Sequence, residues 1–198
     1  VPADRGDPMK HKSGTVCMFL GTVLVIAALS LFLWNYREDK KAGDSVENIL
    51  PRLEEQIGDT DPDPYGSGMT EVTIDGYSYI GYIAIPGLGL ELPVMSEWSY
   101  PQLRIAPCRY CGSVKTNDLV IAAHNYSRHF GNIKNLVPGD EVYFTDMDGR
   151  VTAYEVVEVD ILNPTAVEEM TDSGYDLTLF TCTYGGRSRV TVRCDRAD

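Results

Sequence analysis

Twenty consecutive residues without a charge, TVCMFLGTVLVIAALSLFLW at 15–34, set the first limit on what this chain can fold into. As a helix rising about 1.5 Å per residue they extend about 30 Å, the thickness of a bilayer's hydrocarbon core. Lys10 and Lys12 precede the stretch, and Trp34 and Tyr36 end it as interfacial anchors. A cleaved signal peptide has an apolar core of only about 7–15 residues, followed by a small-x-small cleavage site. Neither feature is met, so an uncleaved anchor over 15–36 is expected. Three Lys/Arg lie on each side (Arg5, Lys10 and Lys12; Arg37, Lys40 and Lys41), which leaves orientation undecided by charge. A short tail at 1–14 and a long domain after the anchor favour a cytoplasmic N-terminus.

The chain of 198 residues has room for one domain besides that anchor. Residues 44–198 carry eleven Lys/Arg against twenty-five Asp/Glu. Such an acidic field repels phosphate backbones and argues against a nucleic-acid partner. Five cysteines are present, Cys17, Cys108, Cys111, Cys182 and Cys194; an odd number, one of them inside the apolar stretch, is no disulfide framework. Cys108 and Cys111 have C-x-x-C spacing, yet no second pair of ligands accompanies them, so they read as partly buried thiols or a local disulfide. Neither a cofactor nor a metal is expected.

Beyond the anchor, residues 37–69 read as a charged stalk, an amphipathic helix and a linker. Val46, Ile49, Leu50, Leu53 and Ile57 have helical spacing, with Gly58 as a stop and Pro51 predicting either a kink or a start near Leu50. The segment DTDPDPYGSG at 59–68 is too rich in Asp, Pro and Gly for regular structure. From residue 70 the pattern turns short and alternating. TEVTI (70–74) and YSYIGYIAI (77–85) flank Asp75-Gly76, and EVYFT (141–145) and RVTAYEVVEV (150–159) flank Asp148-Gly149, two hairpin signals. LGLELPVM (88–95), LVIAA (119–123), LTLFTC (177–182) and RVTVRC (189–194) complete seven or eight strands, an all-β barrel or sandwich over 70–198. LVIAA is continuously apolar, as expected of a strand covered on both faces.

His124 directly follows LVIAA and Cys182 closes LTLFTC. Reactive groups at the ends of covered strands can meet at one rim of a barrel. A thiol needs a neighbouring imidazole or cation to become a thiolate near neutral pH. The Arg-rich last strand offers a guanidinium able to orient a carbonyl and stabilise an oxyanion. Period-two alternation sets Arg187, Arg189 and Arg193 on one face and Val190, Val192 and Cys194 on the other, so Cys194 reads as a core thiol. On pattern alone two readings stay open: a Cys–His pair, or a packed thiol and a hydrogen-bonded histidine.

The block TLFTCTYGGRSRVTVR resembles the C-terminal block of the sortases, with Thr178-Leu179-Phe180-Thr181-Cys182 matching their TLxTC signature and Arg189 standing where their arginine does. LVIAAHN is similar to their strand-then-His block, and GYIAIPGLGLELPV to the strand pair that opens their barrel. The resemblance implies an all-β fold, a sortase-like eight-stranded barrel with short helices, preceded by one transmembrane helix. It implies Cys182 as nucleophile, His124 as acid and base, Arg189 holding substrate and oxyanion, and Thr181 contacting substrate. The activity implied is cysteine transpeptidation: cleavage of an LPxTG-like sorting signal through a thioacyl intermediate, on surface proteins or pilins. The acceptor amine belongs to a peptidoglycan precursor or a pilin lysine, outside a Gram-positive membrane.

Only about fifteen residues separate the strand ending near Asp160 from Leu177, short for the helical insertion of class B sortases. Asp63-Pro64-Tyr65 resembles the lid of pilin-polymerising members, but Asp-Pro turns are common in linkers. Anchoring and pilin-type sortases both stay open. Two rivals come from other classes. Papain-type proteases place Cys before His, and caspase-type ones need a Q-A-C-x-G block that Phe180-Thr181-Cys182-Thr183 does not supply. A non-enzymatic, membrane-anchored binding module would have incidental thiols.

Overall fold

The computed structural model describes residues 9–58 and 68–197. Asp63, Pro64 and Tyr65 lie outside the described residues. The chain divides between Glu38 and Asp39 into two compact units.

The first unit is helical. It holds the greater part of helix α1 (Met9–Glu54), whose apolar stretch has mean hydropathy 2.7 and no buried side chain. It is long and apolar enough to cross a membrane.

In the second unit α1 continues from Asp39 to Glu54 and buries Ala42, Val46, Ile49 and Leu53, one stripe at helical spacing. The residues read as a stalk are therefore helical, and α1 neither begins near Leu50 nor breaks at Pro51. Pro51 falls in the final turn, where its missing N–H forfeits a single intrahelical bond. α1 ends at Glu54, four residues before the Gly58 read as its stop, and after a turn the Gly58 N–H donates to the Met147 carbonyl (3.0 Å).

Nine strands follow: β1 (Val72–Ile74), β2 (Tyr77–Ile85), β3 (Leu90–Met95), β4 (Cys108–Cys111), β5 (Leu119–Ala123), β6 (Glu141–Asp146), β7 (Val151–Leu162), β8 (Leu177–Cys182) and β9 (Arg189–Arg196). Their order is β1-β2-β3-β4-β5-β8-β9-β7-β6, and β6 pairs back onto β2. Strands β2 to β9 thus close an eight-stranded barrel, with β1 added outside along the first half of β2. The exchange of partners occurs at Gly81, where the β2–β3 register shifts. Its φ of 141° suits glycine, and a Cβ there would lie 2.0 Å from the Thr145 carbonyl oxygen of β6.

Both expected hairpins form, β1–β2 around Asp75-Gly76 and β6–β7 around Asp148-Gly149. One strand was not expected. CRYC, read only for its thiol spacing, is β4, wedged between Pro107 and Gly112 and too short to show alternation. Cys108 is buried, Cys111 half-buried, and both are free thiols. β4 joins β3 through a single residue pair, Met95 with Cys108.

Two apolar layers use the two faces of the sheet. Leu119, Ile121, Leu179, Val192 and Phe144 fill the barrel with Phe130 and Ile133. On the outer face Val120, Ala122 and Phe180 pack with Ile49 and Leu53 of α1, Leu103 of α2 (Tyr100–Leu103) and Met170 of α3 (Val167–Thr171). β5 is buried on both sides, as its unbroken apolar run implied.

Candidate active site

Strand register assembles the site. β5 and β8 run parallel, Leu119 beside Leu177 through Ala123 beside Thr181. His124 and Cys182 are the next residues along these neighbouring strands, whose spacing is about 4.8 Å. β9 returns antiparallel on the other side of β8 and pairs Arg189 with Cys182. Imidazole, thiol and guanidinium therefore stand on three adjacent strands at one rim of the barrel. Alternation assigns them to the outer face, continuing the rows that hold Ala122, Phe180 and Thr191. All three are half-buried, neither sealed nor fully in solvent.

The remaining thiols of the barrel are poor nucleophiles. Burial pushes Cys108 and Cys194 up to about 12, and burial with the nearby Asp118 carboxylate raises Cys111. A thiol held protonated attacks slowly. Cys194 lies in the barrel core as alternation implied. Cys182 borders a small cavity of about 80 Å³, lined also by Asn125, Phe130, Thr183, Tyr184 and Val190.

The two histidines differ in the same way. His129 is fully buried, and neither ring nitrogen has a well-formed hydrogen bond, although the backbone of Ala42 and Ile105 lies close enough to favour the charged form slightly. Burial, reinforced by the neighbouring His124, pushes it down to about 4, so it is neutral near pH 7. His124 reaches the rim, its ring 5.0 Å from that of Tyr126, which lies 5.6 Å from His129.

The Arg189 guanidinium donates through Nη1 to the carbonyls of Gly186 and Ser188 at 3.3 Å each, long bonds that an incoming acceptor can replace. Arg193 is engaged elsewhere, buried over the Tyr175 ring with Nε 3.1 Å from Glu158 and 3.7 Å from Asp160. Arg187 precedes β9 in the turn. Thr181, expected to touch substrate, is only 2% exposed, and its hydroxyl donates to the Ala123 carbonyl (2.8 Å). It ties β5 to β8 immediately behind the candidate pair.

Aromatic residues that the sequence did not single out flank the site. Tyr110 of β4 meets Phe180 edge-on at 5.3 Å, Trp98 stacks on Tyr110 at 5.4 Å, and Tyr100 meets Trp98 at 5.9 Å. Trp98 and Tyr100 are 42% and 72% exposed and extend an apolar wall from Phe180, which lies two residues from Cys182 along β8. The pairing of β4 with β5 brings Tyr110 there.

A closed barrel with a thiol, an imidazole and a guanidinium on one rim defines a protein with a candidate acyl-transfer site. The family model described as Sortase domain matches residues 83–197. Sortase A of Bacillus anthracis is 28% identical over 167 residues, covering 76% of this chain and 77% of that protein. Among solved structures, sortase C1 of Streptococcus suis is 29% identical over 61% of this chain and 73% of its own, with a TM-score of 0.53. Sortase C of Clostridium perfringens is 25% identical over 81% and 91%, also with a TM-score of 0.53. The chain belongs to the sortase family and is a sortase-type transpeptidase.

Proposed function

We propose that this protein cleaves an LPxTG-like sorting signal through a thioacyl enzyme and transfers the released carboxyl end to an amine of the cell wall or of a pilin subunit. What supports the reading above all is the register of β5, β8 and β9, which brings His124, Cys182 and Arg189 to neighbouring positions at the ends of three adjacent strands. The Cys182 thiolate attacks the Thr carbonyl of the signal, and the developing oxyanion faces the Arg189 guanidinium. The tetrahedral intermediate collapses as the C–N bond breaks, and His124 gives the departing amine its proton. The acceptor amine then attacks the thioester, loses a proton to His124 and expels the Cys182 thiolate. The aromatic wall of Trp98, Tyr110 and Phe180 offers an apolar surface to the signal's side chains. Thr181 acts through its bond to Ala123, holding the two strands in register.

The helix over 15–36 anchors the enzyme as a single pass, its barrel outside a Gram-positive cell. Loss of residues 1–36 is expected to release the protein from the membrane fraction.

The decisive experiment incubates the full chain in detergent with fluorescent LPxTG-like peptides, with and without triglycine or a diaminopimelate-type amine. Cys182→Ala runs beside it, and mass spectrometry reads the adducts. A thioacyl adduct on Cys182 that passes to the amine, and is absent from the variant, is the expected result. Hydrolysis indifferent to added amine would favour a cysteine endopeptidase. No adduct from any peptide, even after deletion of residues 59–68, would favour a binding module. Faster acylation after that deletion would mark Asp63, Pro64 and Tyr65 as a lid.

A further inference from the structure

The segment that carries His124 is gripped by α1. Ser127, three residues beyond His124, donates its backbone N–H to Asp39 Oδ1 and its hydroxyl to Asp39 Oδ2, both at 2.6 Å. Two short bonds into one carboxylate are the charge-assisted kind, stronger than bonds between neutral groups. Asp39, Gly43 and Glu47 share one face of α1 at intervals of four residues. Glu47 pairs with Arg128 at 3.2 Å. Gly43 lets the Arg128 side chain lie flat on the helix, since a Cβ there would come 3.0 Å from Nε and 3.1 Å from Cγ. All these residues belong to the second unit.

The rest of the segment is fixed at its ends. His124 follows the buried strand β5, and Phe130 is buried in the barrel core, its N–H donating to the His124 carbonyl at 3.3 Å. Between them the Tyr126 carbonyl accepts from His129 (3.0 Å) and Gly131 (2.8 Å). The Tyr126 ring contacts both imidazoles, 5.0 Å from the His124 ring and 5.6 Å from the His129 ring. Ser127, exposed at the apex, is tethered to the Asp39 carboxylate.

We infer that Asp39 is a positioning residue for His124, acting through Ser127 and Tyr126, so that the helix leading from the candidate membrane span is a working part of the active site. The inference rests on the reading of His124 as proton donor and acceptor. Displacing such a group by a fraction of an ångström slows chemistry while leaving peptide binding in place.

The test uses the full chain in detergent and an LPxTG-like peptide with an amine acceptor. Asp39→Ala is expected to lower kcat about tenfold while KM moves by less than about twofold, the signature of a misplaced catalytic group rather than a lost binding contact. Amide hydrogen exchange across 125–129 rises in the same variant. Asp39→Asn, which keeps an acceptor for the Ser127 N–H, restores most of the loss. Ser127→Ala, which keeps the backbone bond, loses less than Asp39→Ala, and the double variant is no worse than Asp39→Ala alone. Wild-type kcat in Asp39→Ala, or equal losses with alanine and asparagine, overturns the inference. Should Asp39→Ala not fold, an unchanged kcat in Ser127→Ala overturns it instead. A wild-type protein that forms no thioacyl adduct brings down the functional reading and this inference with it. Turnover by the wild type with an unaffected Asp39→Ala brings down the inference alone.

Discussion

At the scale of single residues, burial decides which of several chemically similar groups is free to act. Cys194 in the barrel core and Cys108 in the apolar layer outside it are both held as neutral thiols, and Cys182 stands at the rim. The same sorting makes His129 a source of acid sensitivity. Folded, it titrates at about 4 because burial and His124 oppose its charge; unfolded, it returns to its ordinary value of 6.5. Between those values the unfolded chain binds the extra proton. The stability that comes from keeping His129 neutral is therefore complete above about pH 6.5 and is lost as pH falls toward 4, about 3 kcal/mol in all. Urea unfolding from pH 7 to 4 should show this loss, and His129→Leu should flatten that part of the curve. An equally steep limb in the variant would assign the acid sensitivity to the carboxylates instead. The arginines divide likewise: Arg193 is buried and paired with the half-exposed carboxylates of Glu158 and Asp160, Arg196 donates to the Val114 carbonyl (2.8 Å), and Arg189 is left at the site.

At the scale of elements, closure of the barrel depends on one bend. Gly81 lets β2 leave β1 and take up β6, and any side chain there meets the β6 backbone. Gly81→Ala should cost about 3 kcal/mol, combining backbone strain with a clash that cannot relax by a rotamer change. Chemical denaturation measures it, and a loss under about 1 kcal/mol would mean that the bend shifts to a neighbouring residue. Most strands were legible because each alternates or runs apolar between turn residues: β9 alternates, and β5 is an unbroken apolar run. β4 was not, since four residues with a Cys at each end show no period. His124 and Cys182 were legible as strand-end residues, yet their adjacency depends on the parallel pairing of β5 with β8, which no local pattern encodes. The contact of Asp39 with Ser127 spans 88 residues of chain and leaves no trace in either neighbourhood. The signature marks Thr181, and the structure adds a bond the sequence did not show, from its hydroxyl to the Ala123 carbonyl behind the site.

At the scale of the whole molecule, closure pairs β2 to β9 around a ring and leaves β1, three residues long, as the outer edge strand among the described residues. The hoop is uneven, however. Every other neighbouring pair of its strands is joined over at least three residue positions, whereas β3 meets β4 at one. The barrel resembles a bracelet with a clasp, and strain or heat should part it there first. Amide exchange under native conditions should find Arg109, Tyr110 and Cys111 of β4 opening before β8 and β9; uniform protection around the ring would refute this. The clasp carries Tyr110, stacked under Trp98 and set against Phe180. A peptide lying across these rings would bridge the joint from outside, so that occupying the site and fastening the barrel become one event.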